Sequence, residues 1–184
     1  MDTFIEQIVQ KKKSAKEWAI IVAVVLGGLL LLAAALLFVP SLLIFVLVGV
    51  GYGGWWLISG QNSEYEYCVT NGDIDVDQIV ARRKRRRLVS VSGRKIESLL
   101  PYDPAKPQSM YQRVVVVAPS LEESGLWQFT YHSKKNGHTL VVFQPEQRVL
   151  QALYSGLQKL VQMDTARAAR ERGIDLSVNH SHGE

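Results

Sequence analysis

The chain has 184 residues, with 21 lysines and arginines against 17 acidic residues and a single cysteine. This length allows two membrane spans and one domain of roughly 100–120 residues. One cysteine excludes an intrachain disulfide framework and agrees with a reducing cytosol. Because positive and negative charges nearly balance, any basic surface must come from local clustering of cations.

Residues 1–17 form a Lys-rich segment that we expect to be amphipathic. Four of its apolar residues would share one stripe of a helix: Phe4, Ile5, Ile8 and Val9. Such a helix would lie in the headgroup region before the chain enters the membrane. The alternative is a frayed, polar N-terminus whose lysines only set the membrane topology, and the pattern does not choose between them.

Residues 18–60 are predicted to form a transmembrane helical hairpin. The tract from Trp18 to Ile58 is apolar, and no charged residue lies between Glu17 and Glu64. About 20 apolar residues span a bilayer, so this tract is long enough to cross twice. Pro40 cannot donate a backbone hydrogen bond and disfavours helix at the residue before it, which places the reversal there.

Glycines in the two spans predict where the helices approach each other. Gly27 and Gly28 would face Gly51, Gly53 and Gly54, because small residues let helix backbones approach closely in lipid. The spacing of Gly49 and Gly53 is also that of a GxxxG motif, so dimerisation through this face is the alternative use.

The charges that flank the spans predict the orientation of the protein. Four lysines precede the first span (Lys11, Lys12, Lys13 and Lys16), the hairpin tip has no charge, and a basic run follows the second span. Positive charge stays on the cytoplasmic side. We therefore expect a multi-pass protein of the cell membrane with both termini in the cytoplasm. A cleaved signal peptide is disfavoured because the hydrophobic region is too long.

Residues 61–163 are predicted to form a cytoplasmic α+β domain, an antiparallel sheet closed by one C-terminal helix. Apolar and polar residues alternate on both sides of Asn71-Gly72, and again around Asn136-Gly137, as in β-hairpins. The proline-rich stretch 101–108 predicts a surface loop. The apolar stripe that follows Pro145 predicts a single helix over 145–163.

Residues 164–184 are expected to extend this helix up to Gly173 and then to form a disordered tail. His180 and His182 lie in that tail without cysteine or carboxylate ligands at a useful spacing, so we expect no metal site there.

A run of six cations is the feature that most suggests a function: Arg82, Arg83, Lys84, Arg85, Arg86 and Arg87. Close to a membrane span, such a run is typical of a surface for anionic lipid headgroups, each cation contributing roughly 1 kcal/mol. An acidic protein partner is a second interpretation. Nucleic acid is disfavoured in a membrane protein that has no other binding motif.

A purely structural role for the same run is the third interpretation. If the strands on either side of the turn pair, Asp77 can face Lys84 and Asp75 can face Arg86, which would stabilise the sheet. Four cations would then remain for a ligand: Arg82, Arg83, Arg85 and Arg87.

Nothing in the sequence indicates catalysis, a metal or a cofactor. The run from Asp73 to Asp77 superficially resembles a calcium loop, but Gln78 and Lys84 occupy the positions where that loop needs glycine and glutamate. The P-loop, the GxSxG, HExxH and paired CxxC motifs, and the Rossmann fingerprint do not occur.

Parts of the sequence resemble two groups of known proteins. The run YEYCVTNGDIDVD from Tyr65 to Asp77, with the later RRKRRRLVSV, resembles a family of uncharacterised small, double-spanning membrane proteins of Gram-positive bacteria. The order of a membrane hairpin, a Tyr-x-Val-Thr strand, a basic turn, later strands and a closing helix resembles bacterial pleckstrin-homology-like (PH-like) domains. This resemblance implies a PH-like barrel and, by itself, no ligand.

The sequence therefore favours a membrane-anchored, non-enzymatic module that acts as a scaffold or binds the surface of the inner leaflet. The alternative is an accessory subunit of a membrane protein complex, or a homodimer, with the glycine-rich span face as the contact. An enzyme with an unrecognised site is the third possibility.

Overall fold

The computed structural model of the protein describes residues 4–176. The strands in chain order are β1 (Phe4–Gln10), β2 (Ser63–Thr70), β3 (Asp73–Val80), β4 (Lys84–Val91), β5 (Ile96–Pro101), β6 (Arg113–Val116), β7 (Trp127–Ser133) and β8 (Gly137–Phe143). The helices are α1 (Ala15–Phe38), α2 (Leu43–Ser59), α3 (Gln147–Ser155) and α4 (Lys159–Glu171). The predicted pair of apolar helices followed by an α+β domain is confirmed, and this domain ends in two helices where one was predicted.

These elements belong to two compact units. The hairpin unit comprises residues 12–63 and 79–84. The sheet unit comprises residues 4–11, 64–78 and 85–176 of the described chain. The tip of the β3–β4 hairpin, residues 79–84, therefore belongs to the hairpin unit. The rest of both strands belongs to the sheet unit.

Helices α1 and α2 form the helical hairpin that the apolar tract predicted. Ser14 caps α1 with a capping box, in which its hydroxyl accepts from the Glu17 amide and its own amide donates to the Glu17 carboxylate. Pro40 begins a single 3₁₀ turn between the helices, where its missing N–H costs nothing. Helix α1 and the helical segment Pro40–Ser59, which contains the 3₁₀ turn and α2, are long and apolar enough to cross a membrane.

The glycines of the hairpin do not all serve helix packing. A Cβ atom on Gly28 would lie 2.8 Å from Val50 Cγ1, and one on Gly54 would lie 3.8 Å from Val24 Cγ1. The close approach is therefore at Gly28. Four other glycines have no neighbouring atom within 4 Å of an added Cβ in the described structure: Gly27, Gly49, Gly51 and Gly53.

Strand β1 replaces the amphipathic helix expected in residues 1–17. It pairs antiparallel with β2, from Phe4 opposite Thr70 to Gln10 opposite Glu64. Apolar residues four positions apart lie on one side of a strand as well as of a helix, so the pattern fits both. Residues 4–10 form a strand because they pair with β2. The helical hairpin is thus inserted between two paired strands.

The first sheet has the order β1-β2-β3-β4, and its central turn is the predicted Asn71-Gly72 hairpin. Both turn residues have positive φ, 51° and 83°, which glycine adopts readily and asparagine tolerates. Gly156 packs against this turn so closely that a Cβ atom on Gly156 would lie 2.5 Å from Gly72 Cα. The close contact therefore requires glycine at both Gly72 and Gly156, and the positive φ is a second reason for glycine at Gly72.

The second sheet has the order β5-β7-β8-β6 and is not wholly antiparallel. The β7–β8 hairpin ends with Ser133 opposite Gly137, as the second Asn-Gly turn predicted. Strand β6, however, pairs parallel with β8, with Arg113 opposite Thr139. Residues 117–126 and β7 separate β6 from β8, which gives the chain enough length to return in the same direction. The described strands form two sheets and no closed barrel, contrary to the predicted barrel.

The main core of the sheet unit lies between the sheets and α3. Its largest fully buried side chains are Trp127, Tyr67, Phe129, Phe143, Ile74, Ile96, Leu99, Leu150 and Leu153. A smaller cluster lies around Leu126, Leu140 and Val142, with Tyr102 and Tyr111 packed against it. These two tyrosines lie at the two ends of the proline-rich loop, whose middle is exposed as predicted.

The single helix predicted over 145–163 is wrong, because the chain breaks after Ser155 and begins α4 at Lys159. The backbone of Gly156 is in contact with the Asn71-Gly72 turn. Only part of the apolar stripe continues past Ser155, where Leu157 and Val161 still pack in or against the core. Leu153 is fully buried, whereas Leu160 is 77% exposed. Helix α4 ends at Glu171, near Gly173 with a φ of +70°, as expected for a helix C-terminus. The predicted disordered tail with His180 and His182 lies outside the described residues.

Candidate functional site

The basic run lies on the β3–β4 hairpin and is divided between the two units. Arg82 and Arg83 belong to the turn, where Ala81 and Arg82 have φ values of 53° and 56°. Lys84 begins β4 and is the last residue of the hairpin unit, and Arg85 belongs to the sheet unit. The six cations therefore have two different environments.

Arg85 and Arg87 bind buried carboxylates of the sheet unit. Arg85 Nε lies 2.7 Å from Asp77 Oδ2, and Arg87 Nε lies 2.9 Å from Asp77 Oδ1. Arg87 Nη1 also lies 3.0 Å from Asp75 Oδ2. The Asp77 side chain is 5% exposed, whereas both arginine side chains are about half exposed. The two guanidinium groups thus cover a carboxylate that is almost removed from water.

The hydrogen bond from Arg87 lowers the pKa of Asp77 below its usual range. Burial acts in the opposite direction, and the hydrogen bond from Arg85 adds to the lowering. A buried carboxylate with two arginine partners remains ionised at neutral pH. Asp77 therefore holds both arginines in place.

The ion pairs predicted from the sequence are wrong. Asp77 pairs with Arg85 and Arg87 rather than Lys84, and Asp75 pairs with Arg87 rather than Arg86. The register of a hairpin depends on the length and conformation of its turn, and a shift of one residue exchanges the faces of all side chains. Lys84 and Arg86 are exposed, and neither makes an ion pair within residues 4–176.

Glu66 is a second buried carboxylate of this network, and it was not identified from the sequence. Its Oε2 atom lies 2.8 Å from Arg85 Nη2, an ion pair without hydrogen-bond alignment. The two-residue Asn71-Gly72 turn in the sequence was sufficient to place Glu66 in this network. Counting outward from that turn places Glu66 opposite Asp77.

Glu66 also lies beside Cys68 and Glu6, whose ligand atoms are all within 4.8 Å of one another. The strand register explains this group, because Glu6 is directly opposite Cys68. Burial, together with the Glu66 and Glu6 carboxylates, raises the pKa of the Cys68 thiol to about 11. The thiol is therefore protonated at neutral pH, and Arg85 already supplies a cation to Glu66. This arrangement favours an ion-pair network over a metal site or a nucleophile.

Arg83 lies in a different environment, at the C-terminal end of α2. Its guanidinium carbon is 5.0 Å from the centre of the Trp55 ring, and its Nη2 donates a 3.1 Å hydrogen bond to Ser59 Oγ. The Ala81 amide donates to the Asn62 carbonyl at 2.8 Å, which holds the turn beside the end of α2. At the start of α1, Lys13 Nζ lies 5.7 Å from the Trp18 ring.

The charged residues of the hairpin unit therefore lie only at the open end of the helical hairpin. Six are cations, which we call the basic end of the hairpin: Lys12, Lys13, Lys16, Arg82, Arg83 and Lys84. The one carboxylate is Glu17, which caps α1. Two of the cations stack on tryptophans, an arrangement typical of residues at a membrane interface.

Comparisons with curated proteins and with solved structures give no match. A family model described as a bacterial PH-like domain (DUF6106) matches residues 1–163, which include β1, the helical hairpin, both sheets and α3. The resemblance to bacterial PH-like domains found in the sequence is thereby confirmed. Because the match extends over most of its length, the chain belongs to this family of bacterial PH-like domains.

Proposed function

We propose that the protein is a membrane-anchored, non-enzymatic module whose basic end binds anionic lipid headgroups at the cytoplasmic leaflet. PH-like domains are generally non-catalytic, which supports a binding role. The observation that carries the proposal is Arg83, stacked on Trp55 and hydrogen-bonded to Ser59 at the end of an apolar helix. There its charge can reach a headgroup phosphate while its tryptophan partner stays in the interface.

The surface of the helical hairpin supports membrane insertion. Large apolar side chains are exposed along both helices, including Leu30, Phe38, Phe45 and Val48. The core helix of a soluble domain would instead have most of this surface buried. Insertion into a bilayer would remove the apolar surface of both helices from water.

The pairing of β1 with β2 supports placing both ends of the hairpin on one side of the membrane. Gln10 and Glu64 are paired, and the whole apolar tract lies between them in the chain. Strands on opposite sides of a bilayer could not hydrogen-bond. The basic end then faces the side that lysines and arginines prefer, the cytoplasm.

The test is lipid selectivity of the full chain, since a fragment that starts after the hairpin would lack β1. The protein is reconstituted into vesicles of phosphatidylcholine and phosphatidylglycerol, and spin-labelled lipids measure which headgroup contacts it. We expect a preference for phosphatidylglycerol that falls as salt is raised, because surface charges are screened. At roughly 1 kcal/mol for each cation, losing one should reduce the preference up to about fivefold at low salt.

Two variants distinguish the cations of the hairpin unit from those of the sheet unit. Replacing Lys13, Arg83 and Lys84 with glutamine should weaken the preference for phosphatidylglycerol strongly, because it removes three of the six cations of the basic end. Replacing Arg86 with glutamine, which removes an exposed cation of the sheet unit, should leave the preference in place. If the unaltered protein shows no preference at low salt, or if both variants behave alike, the headgroup proposal is wrong.

A second candidate is an accessory subunit of a membrane complex, favoured by the glycine face of α2. Gly49 and Gly53 have no neighbouring atom within 4 Å of an added Cβ, so α1 does not use this face. Leucine at both positions should abolish association with a membrane partner, or self-association, measured by cross-linking. The same substitutions should leave the lipid selectivity unchanged, which separates the two candidates.

A further inference from the structure

Helix α4 is fixed to the sheet unit by one face only. Thr165 is fully buried, and its hydroxyl donates 2.9 Å to the Leu99 carbonyl. Ala169, one turn further, is buried as well. On other positions of the helix, Leu160 is 77% exposed and Met163 is 70% exposed. These are the most exposed large apolar side chains of the sheet unit in the described chain.

A groove runs beside this exposed face, between α4 and Tyr154 of α3. One part has a volume of about 710 Å³ and is lined by Tyr154, Met163 and Ala166 among others. A second part, of about 410 Å³, shares Tyr154, Ala166 and Arg170 with the first and extends to Leu176. From Lys159 to Arg170 the groove follows about 17 Å of helix, or about three turns.

Cations outnumber carboxylates in the lining of the groove by three to two. Lys159, Arg167 and Arg170 line it, and none of them makes an ion pair with a residue between 4 and 176. The carboxylates of the lining are Glu171 in the larger part and Asp175 in the smaller part. Asp164 is also exposed on α4, but it lines a different cavity. An occupant with apolar anchors between acidic residues would match this arrangement.

We propose that the groove along α4 binds an acidic amphipathic helix of a partner protein. A helix that lies in a groove places apolar residues at positions i, i+3, i+4 and i+7 into it, and three turns are enough for such a set. Met163 adapts its shape to such anchors, and the small side chain of Ala166 leaves room for one. This site lies in the sheet unit and does not depend on the headgroup proposal.

The experiment uses the full chain in nanodiscs of phosphatidylcholine, which carry no net charge. The probe is a labelled 18-residue helical peptide with leucines at i, i+3, i+4 and i+7 and glutamates on the flanks. A second peptide has the same leucines and lysines in place of the glutamates. Fluorescence anisotropy should show that the acidic peptide binds at least tenfold more tightly than the basic one, with an affinity that falls as salt is raised.

Variants locate the binding to the groove. Met163→Glu should weaken the acidic peptide at least tenfold, and Arg167→Gln with Arg170→Gln should weaken it several-fold. Met110→Glu is the matched control, since Met110 is exposed elsewhere in the sheet unit, and it should have no effect. All four residues are exposed, so an unchanged melting temperature should confirm that each variant is folded.

Three results would overturn the proposal. These are equal binding of the acidic and basic peptides, no binding of either, and acidic binding that survives Met163→Glu. A separate arm adds vesicles of phosphatidylglycerol to the nanodisc-held protein. If the vesicles bind through Met163 and the acidic peptide does not, the exposed face is a lipid contact and the helix-binding proposal fails.

Discussion

Asp77 accepts hydrogen bonds from both Arg85 and Arg87, while the Asp75 carboxylate, which binds Arg87 alone, is more than one third exposed. This difference separates a buried anchor from a surface ion pair. Surface ion pairs contribute little to stability, whereas removing one partner of a buried pair is costly. At the residue scale, two of the six cations are therefore part of the sheet, and Asp77 is the residue that makes them so.

Replacing Asp77 with asparagine should destabilise the sheet unit by about 1–3 kcal/mol, a range reduced because both arginines remain half exposed to solvent. Asp75→Asn is the matched control and should cost less than about 1 kcal/mol. The measurement is amide hydrogen exchange in β2 and β3 of the full chain in detergent. Equal effects of the two changes would contradict the assignment of Asp77 as the anchor.

The pKa of Asp77 also predicts how stability depends on pH. Its folded-state pKa is lowered from an unfolded value of 3.8, so the folded state favours the ionised carboxylate. This contribution is fully present above pH 3.8 and is lost as the pH falls through the lowered pKa. Asp77→Asn should remove that part of the acid dependence, measured as the loss of stability between about pH 4 and pH 2.

The break between α3 and α4 separates two leucines that the sequence placed on one apolar stripe. Leu153 is fully buried against the sheets, and Leu160, seven residues later, is exposed. The two helices therefore have different roles: α3 closes the core, and α4 presents the groove. An isolated substitution at each leucine distinguishes these roles.

Leu153→Asp should destabilise the sheet unit by several kcal/mol, about 3–5, because it buries an unpaired charge. Leu160→Asp is the control on the other helix and should stay within about 0.5 kcal/mol, because its side chain remains in water. Denaturation of the full chain, followed by hydrogen exchange in β7 and β8, measures both. A similar loss of stability in the two variants would mean that α4 packs through Leu160 after all.

The insertion of the helical hairpin between β1 and β2 sets a condition for the molecule as a whole. If the helical hairpin spans a membrane as proposed, the pairing of β1 with β2 requires both of its ends to lie on the same side. The uncharged turn at Pro40 then faces the opposite side. In the proposed topology, the positive charge of the basic end would place the paired strands in the cytoplasm.

Cysteine labelling tests this topology. In a chain with Cys68→Ser, a cysteine at Ser41 should react with an impermeant maleimide in intact cells. A cysteine at Ser109, an exposed position of the proline-rich loop, should react only after the cells are made permeable. Labelling of Ser109→Cys in intact cells would contradict the topology, and labelling of neither site would show that the turn at Ser41 does not reach the outer surface.

Local patterns in the sequence determined the elements that depend on neighbouring residues. The charge-free tract with one proline predicts two apolar helices, because lipid-facing helices need apolar side chains throughout. The Asn71-Gly72 and Asn136-Gly137 turns fix two hairpins, because both turns place residues at positive φ. Gly173 predicts the end of α4 for the same conformational reason.

Tertiary structure decided the features that depend on distant partners. Residues 4–10 have a pattern that fits a helix or a strand, and the edge of β2 makes them a strand. The contact between Gly72 and Gly156 accompanies the break in the C-terminal helix, although the two residues are far apart in the chain. The conformation of the turn at Ala81 and Arg82 sets which cations meet Asp77, and alternating side chains make a shift of one residue sufficient to exchange them. Sequence patterns report local conformation and amphipathicity, whereas strand partners and register depend on the packing of the whole chain.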